Sequence, residues 1–113
     1  MYVEYGIQQD IDLWMALVEE VRWNFPGLET QEKLNEHRAT VLKFIDKRQA
    51  ICVKEGNVIA GVMLFSRGHN MICCLAVSPE YRCCGVASML MDEALNNLDM
   101  TKEISVSTFR ADD

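Results

Sequence analysis

The stretch from Leu75 to Ser88, "LAVSPEYRCCGVAS", combines residue types that together suit the binding of an anion. An apolar segment ends at a bend at Pro79, and Gly85 stands where an amphipathic segment begins. The first turn of a helix has free backbone N–H groups and a partial positive charge, and a glycine there lets a ligand approach the main chain. This arrangement predicts an anion site, most often for phosphate. A plain β-α turn, in which the glycine serves backbone geometry alone, is an equally good interpretation.

Two familiar phosphate motifs are absent from the sequence. Without GxxxxGKS/T there is no P-loop for nucleoside triphosphates, and without GxGxxG there is no dinucleotide fingerprint. The loop instead holds two adjacent thiols, Cys83 and Cys84. Because a thiol at a helix N-terminus is unusually reactive, these residues predict either a redox-sensitive loop or two tolerated substitutions that leave the backbone intact.

The cysteines also limit which chemistry the chain carries. There are five, at Cys52, Cys73, Cys74, Cys83 and Cys84, with no CxxC and no Cys/His ligand spacing, so no metal site is predicted. Neighbouring residues of a strand point to opposite faces, which makes Cys73 and Cys74 poor disulfide partners. The pattern predicts a reduced, cytoplasmic protein.

The elements that must position this stretch follow from the spacing of apolar residues. The predicted order is β-α-α-β-β-β-α-β, a mixed α/β fold in a single domain over residues 1–113. The strands are predicted at 3–7, 50–54, 58–66, 71–77 and 103–109, and the helices at 10–25, 29–47 and 85–98. Strand 71–77, the turn at Pro79 and helix 85–98 form a β-α unit that brings the anion site to the carboxyl end of a strand.

Each predicted helix has one apolar face, which should pack on the sheet. We expect Asp10 to be the N-cap of the first helix and Pro26 with Gly27 to end it. The apolar faces are predicted to be Ile11, Trp14, Leu17, Val18, Val21 and Phe25 in the first helix, Leu34, Val41, Leu42 and Ile45 in the second, with the stem of Arg38 tolerated at its edge, and Ala87, Leu90, Met91, Ala94, Leu95 and Leu98 in the third.

Composition excludes two classes of partner. The chain has 113 residues, of which half are apolar, and a net charge of −6. That charge argues against a nucleic-acid surface, because phosphate neutralisation needs clustered Lys and Arg. No apolar run approaches the roughly 20 residues that a membrane span needs, and the N-terminus does not resemble a signal peptide.

The segment around Gly85 resembles the acetyl-CoA signature of the GNAT superfamily of N-acyltransferases. That signature is an apolar strand, then Val-x-Pro-x-Tyr, then Arg/Gln-x-x-Gly-x-Ala/Gly opening a helix. The matching residues, in the right order and spacing, are Val77, Pro79, Tyr81, Arg82, Gly85 and Ala87. The preceding strand, two helices and three-stranded meander also resemble that family, so the likeness covers essentially the whole chain and implies a GNAT-like fold.

The resemblance implies acetyl-CoA as cosubstrate and assigns its contacts by position. Backbone groups of Leu75, Ala76 and Val77 would pair with the pantetheine arm like an added strand. The residues expected to hold the pyrophosphate through backbone N–H groups are Arg82, Cys83, Cys84, Gly85, Val86 and Ala87, with Ser88 adding its hydroxyl. Arg82 is equally suited to a solvated surface position, and Tyr81 to a core position.

The implied reaction is acetyl transfer to a primary amine, of a small molecule or a protein, by direct attack on the thioester. A backbone N–H near Val77 would polarise the carbonyl, and Trp23 and Asn24 would line the acceptor pocket, although Trp23 is equally suited to closing the core. The acidic chain favours a cationic acceptor. The strand before the motif has no carboxylate, and nothing in the sequence places Glu29, Asp46 or Glu103 at the site, so the catalytic residues stay unassigned.

The sequence departs from the family pattern at its end, "STFRADD", where a further helix and a β-hairpin would follow. We therefore expect a domain truncated at the C-terminus, either naturally or by shortening of the chain, or one completed by a second copy. The last option predicts a homodimer formed by C-terminal strand exchange. The alternative to catalysis is a non-catalytic module that binds acyl-CoA.

Overall fold

In the computed structural model, which describes residues 2–21, 30–82 and 84–106, the elements follow the predicted order. The strands are β1 (Val3–Tyr5), β2 (Ala50–Glu55), β3 (Val58–Ser66), β4 (Met71–Val77) and β5 (Ser105–Val106), and the helices are α1 (Ile11–Val21), α2 (Gln31–Asp46) and α3 (Val86–Asn97). Residues 22–25 of the first predicted helix and 107–109 of the last predicted strand lie outside the described residues.

The strands form one sheet in the order β1-β2-β3-β4-β5. The first four are antiparallel to their neighbours, and β5 is parallel to β4. Because side chains alternate between the faces of a sheet, the core has two parts. One lies under α1 and α2 and contains Trp14, Val41 and Cys52. The other lies under α3 and contains Phe65 and Leu90.

The predicted apolar faces are largely confirmed, with one error at the start of α3. In α1 every predicted position within the described residues is buried, and in α3 Leu90, Ala94 and Leu98 are buried. The prediction that Ala87 is buried is wrong, because Val86 takes the inward position and is 1% exposed. Ala87 is the next residue around the helix and faces solvent.

The prediction that Asp10 is the N-cap of α1 is wrong. Asp10 ends a short 3₁₀ turn, Gln8–Asp10, that leads directly into the helix. Its Oδ2 accepts a hydrogen bond from the backbone N of Ile7 at 3.0 Å, and its Oδ1 contacts Lys54 Nζ at 2.9 Å. In α2, Thr30 is the N-cap, and its Oγ1 accepts from Lys33 N at 3.1 Å. Arg38, at the edge of the apolar face of α2, is exposed and pairs with Asp12 at 3.5 Å.

None of the helices in the described ranges is long and apolar enough to cross a bilayer.

Candidate functional site

The edge of β4 that faces β5 is paired over only part of its length in the described residues. β5 pairs with β4 at Met71 and Ile72. Beyond them, Leu64 pairs with Cys74 but Phe65 pairs with Ile72, so Cys73 is an extra residue that forms a β-bulge. A bulge bends its strand and increases its twist. Residues 74–77 come directly after this bulge. Their outer edge is one to which an extended ligand can add as a further strand.

The main-chain groups that this edge offers follow from the alternation of the antiparallel ladder. Ser78 N donates to Ala60 O at 2.8 Å, so Ser78 faces β3 with its backbone. By alternation Ala76 also faces β3, whereas Leu75 and Val77 direct their N–H and C=O groups to the other edge. Of the three residues predicted to pair with a ligand, Leu75 and Val77 are thus the ones whose backbone groups point outward.

The turn between β4 and α3 brings a helix N-terminus to the end of this edge. A 3₁₀ turn, Pro79–Tyr81, begins with a hydrogen bond from Tyr81 N to Ser78 O of 2.9 Å. Gly85 is the N-cap of α3 and is left-handed, with φ 79°. Apart from its two chain neighbours, no described residue has an atom within 4 Å of a Cβ built at this position, so the space beside Gly85 is open.

The sequence motif predicts six residues at this opening that the structure describes. Of these, Val86 is buried, and Cys84 N donates to Tyr81 O at 3.3 Å. Arg82, Cys84, Gly85, Ala87 and Ser88 are all exposed. The N–H groups of the first turn of a helix have no intrahelical partner. The exposed turn therefore offers main-chain donors and a partial positive charge to an anion. Cys83 lies outside the described residues.

Gly61 of β3 fixes how closely α3 approaches the sheet. It pairs with Val77, and a Cβ at Gly61 would lie 2.5 Å from Val86 Cγ1 and 3.1 Å from Leu90 Cδ1. The first turn of α3 therefore packs directly over the strand pair that ends at Val77. The sequence analysis did not single out Gly61, although a lone glycine within an apolar strand is a signal of close approach.

A carboxylate lies at the same end of β4, on the other side of the sheet. Ser78 is buried, and its Oγ donates to Glu20 Oε1 at 3.2 Å. Glu20 is in the last turn of α1, 58 residues earlier in the chain. No spacing rule links two residues so far apart, so this pair cannot be predicted from the sequence.

Other candidate residues are placed as follows. Trp23, Asn24 and Glu29 lie outside the described residues, so the acceptor pocket stays a prediction. Tyr81 is half-buried and packs against the core under α3, which fits a structural role. Asp46 and Glu103 are exposed. Within the described ranges, no group of three or more His, Cys, Asp or Glu side chains could hold a metal ion.

The described thiols within the sheet are in environments that keep them protonated. Burial raises the pKa of Cys52 to about 12, with the Asp10 carboxylate adding to the effect. Burial also raises the pKa of Cys74 to about 12 and raises that of Cys73 at the bulge. These groups are weak nucleophiles at neutral pH.

This geometry agrees with comparisons to known structures. The chain resembles a GCN5-related N-acetyltransferase from Kribbella flavida, with a TM-score of 0.68 and 18% identity over 83% of this chain and 26% of that one. An acetyltransferase of the GNAT family from Bacillus cereus gives 0.65 and 24% over 82% of this chain and 61% of that one. The PaiA N-acetyltransferase from Thermoplasma acidophilum, in complex with coenzyme A, gives 0.63 and 15% over 83% and 69%.

The chain spans about a quarter of the length of the first structure and about three fifths of the second, and their identities of 18% and 24% make the likeness one of fold. A search of curated proteins finds no match. The sequence model of the acetyltransferase (GNAT) family matches residues 14–106, which include β2 to β5, the turn after β4 and helix α3. The chain therefore belongs to the acetyltransferase (GNAT) family.

Proposed function

We propose that this protein binds acetyl-CoA and transfers the acetyl group to a primary amine. The observation that carries the proposal is the junction of two features at Val77. The outward edge of β4 ends there, and Val86 brings the open N-terminus of α3 over its partner Gly61. An acyl-CoA molecule has a peptide-like arm followed by a diphosphate, and these two parts suit an edge strand and a helix N-terminus respectively.

The types of residue at this site suit the binding of acetyl-CoA. Leu75 and Val77 would pair with the amide groups of the pantetheine arm. The main-chain N–H groups at the start of α3 would bind the diphosphate, with Ser88 and Arg82 adding a hydroxyl and a positive charge. The exposed, left-handed Gly85 leaves room for the phosphate oxygens to approach the backbone, since apart from its chain neighbours no described residue has an atom within 4 Å of its Cβ position.

The chemistry proposed for the site is attack of an amine on the thioester. The diphosphate would lie at the start of α3 beside Val77, so the thioester would lie further along the arm. The outward N–H of Leu75 would donate to the thioester oxygen there and stabilise the negative charge that develops. The PaiA relative is an N-acetyltransferase seen with coenzyme A, which supports a CoA thioester as donor. The net charge of −6 favours a cationic amine, from a small molecule or a protein.

A homodimer formed by strand exchange beyond β5 remains a prediction of the sequence, and so does a cytoplasmic location. Residues 107–113, which would form the exchanged strand, lie outside the described residues. Sedimentation at micromolar concentration tests the dimer, and a monomer would contradict it.

The proposed function is tested by two measurements on the same protein. Calorimetric titration with acetyl-CoA is expected to give saturable binding, and S-acetylpantetheine, which keeps the arm and the thioester but lacks the diphosphate, is expected to bind much more weakly. Release of CoA thiol is then followed with a panel of primary amines. Failure to bind acetyl-CoA contradicts the whole proposal. Binding without thiol release from any amine contradicts catalysis and supports the alternative of an acyl-CoA-binding module.

A further inference from the structure

Asn70, the residue directly before β4, fastens the loop between α3 and β5 to the sheet. Its side-chain Nδ2 donates to Asp99 O at 3.1 Å and to Glu103 O at 3.0 Å, and its Oδ1 accepts from Asp99 N at 2.7 Å. Its main-chain O accepts from Ser105 N at 3.2 Å. These hydrogen bonds, which we term the Asn70 clasp, hold the loop near both of its ends together with the first residue of β5.

The clasp is built from ordered parts. Asn70 has φ 48°, in the left-handed region that asparagine adopts more readily than most residues. The loop is also ordered from within, because Asp99 Oδ1 accepts from Thr101 N at 2.9 Å. A prefolded loop is therefore tied to a fixed point at the start of β4.

This tie determines where β5 begins along β4. Within the described residues β5 is a two-residue strand that pairs with Met71 and Ile72, so its own pairing gives it little stabilisation. Ile104, directly before β5, packs against the core under α3. A hydrophobic contact is non-directional, whereas hydrogen bonds require a definite distance and angle. Ile104 thus keeps the segment on the core, and the clasp sets its position along the strand.

β5 closes the inner end of the β4 edge to which the acyl-CoA arm is proposed to add. It occupies this edge at Ile72, and only Cys73 and Cys74 separate Ile72 from Leu75. The arm would run from the diphosphate beside Val77 to the thioester at Leu75, so the acyl group would continue towards Ile72. Because β5 already fills the space beside β4 there, it limits how far the acyl group can extend.

We propose that Asn70 is a positioning residue that, through β5, sets the length of the acyl group that the site accepts. This inference rests on the proposed binding of acyl-CoA. A short acyl group ends before it meets β5, whereas a longer one binds only if β5 moves away from β4. That movement breaks the bond from Ser105 N to Asn70 O, and the bonds to Asp99 and Glu103 hold the adjoining loop against it. The site is therefore selective for short-chain acyl-CoA.

The test measures the affinities of acetyl-, butyryl-, hexanoyl- and octanoyl-CoA by calorimetry. For the wild type we expect the affinity to fall beyond a limiting chain length. Asn70→Gly keeps the left-handed backbone and the main-chain bond but removes the side-chain bonds. It should bind acetyl-CoA as the wild type does. It should bind the first acyl-CoA beyond the limit about tenfold more tightly than the wild type, since each methylene group that becomes buried contributes about fourfold in affinity.

A second variant and a control complete the comparison. Asn70→Asp keeps the acceptor for Asp99 N and tolerates the left-handed conformation, but it has no N–H for the carbonyl groups of Asp99 and Glu103. It should move the chain-length limit in the same direction, and it keeps the test available if Asn70→Gly does not fold. Asn57→Gly makes the same substitution in the exposed turn between β2 and β3, and should leave the limit unchanged.

Amide hydrogen exchange reports on β5 without any ligand. In both Asn70 variants the amide of Ser105 should exchange about tenfold faster relative to that of Leu90 in α3, as expected when a few weak hydrogen bonds are lost locally. A general loss of stability would speed the exchange of both amides alike.

The outcomes separate this inference from the proposed function. If the wild type binds none of the four acyl-CoA molecules, the proposed function is overturned and this inference with it. If the wild type binds them but shows no limiting length, only the role of Asn70 is overturned. The same holds if the Asn70 variants leave the limit unchanged, weaken all four ligands alike as a merely structural role would, or leave the exchange of Ser105 unchanged.

Discussion

Gly61 of β3 and Val86 of α3 are packed so closely that a Cβ at position 61 would lie 2.5 Å from Val86 Cγ1. Real Cβ atoms do not come so near to another carbon, so any larger residue at position 61 must displace the first turn of α3. That turn carries the proposed diphosphate donors, and Gly61 pairs with Val77 at the end of the β4 edge that β5 leaves unpaired in the described residues. The absence of a side chain at Gly61 thereby allows β3 and α3 to pack closely enough to form one site.

We therefore expect Gly61→Ala to lower the free energy of unfolding by about 1–3 kcal/mol, the usual effect of overpacking a core. The measurement is urea denaturation followed by circular dichroism. Adding Val86→Ala should recover part of the loss, since it removes the nearest contact, and a double-mutant cycle isolates the coupling between the two positions.

Gly68→Ala is the matched control for this substitution. A Cβ at Gly68 would meet no atom within 4 Å, so the change should be close to neutral. Equal losses at positions 61 and 68 would show that backbone freedom, rather than contact with Val86, decides the effect.

Gly85→Ala should weaken acetyl-CoA binding more than its effect on stability implies. Alanine in a left-handed conformation costs about 1–2 kcal/mol, and its methyl group would occupy the space proposed for the phosphates. Gly56 in the β2–β3 turn has φ 61° and is equally free of contacts, so Gly56→Ala gives the same backbone strain away from the site. We expect both variants to lower the free energy of unfolding by similar amounts. Only Gly85→Ala should also lose acetyl-CoA affinity, by about tenfold or more, equal to about 1.4 kcal/mol. Equal affinities of Gly85→Ala and Gly56→Ala for acetyl-CoA, measured by calorimetry, would show that the diphosphate binds elsewhere.

The cysteines should react with iodoacetamide in a definite order. Cys84 is exposed, whereas burial raises the pKa of Cys52 and of Cys74 to about 12. A raised thiol pKa favours the protonated form, so these two groups stay unreactive throughout the range from pH 7 to about pH 9. Mass spectrometry of the native protein should detect early labelling at Cys84 and none at Cys52 or Cys74, and all should react in denaturant.

Acetyl-CoA should slow the labelling of Cys84, because the proposed diphosphate site lies in its loop. The slow labelling of Cys73, whose pKa burial also raises, gives an internal reference. Unchanged labelling of Cys84 at saturating acetyl-CoA would argue against this loop as the cofactor site and against redox control of it.

Lys54 should stabilise the fold up to strongly alkaline pH. Its hydrogen bond to the buried Asp10 raises its pKa above the ordinary 10.5, and the charges of Asp10 and Glu4 act in the same direction. A group whose pKa is raised by folding contributes its full stabilisation below its unfolded pKa and loses it as pH rises through the folded value. Lys54→Met should therefore cost about 1.5–3 kcal/mol at pH 7, typical of a hydrogen bond between charged groups.

Above pH 10.5 the difference between wild type and Lys54→Met should shrink, as measured by urea denaturation across the pH range. Lys47→Met, at an exposed position after α2, controls for loss of a positive charge. A difference that stays constant through the alkaline range would mean that packing of the lysine stem, rather than its charge, stabilises the protein.

The sequence alone determined the elements of this fold and the position of the proposed cofactor loop. These depend on local properties: the helical spacing from Ile11 to Val21, the near-continuous apolar run of β4, the proline bend and the glycine at the start of α3. Each is set by neighbours within a few residues, so it can be read without knowing where the rest of the chain lies. The error at Ala87 is of the same local kind, because a shift of one residue in the start of a helix changes which side chain faces the core.

The tertiary structure decided what surrounds that loop. The contact of Val86 with Gly61 sets the position of α3, the bulge at Cys73 arises from the register between β3 and β4, and the pair of Glu20 and Ser78 joins residues 58 positions apart. These relationships depend on how strands pair and how helices cross the sheet, which the spacing of residues does not encode. The sequence could therefore predict a place for the acetyl donor, whereas the hydrogen bond between Ser78 and Glu20 became visible only when packing of α1 on the sheet brought Glu20 to the end of β4.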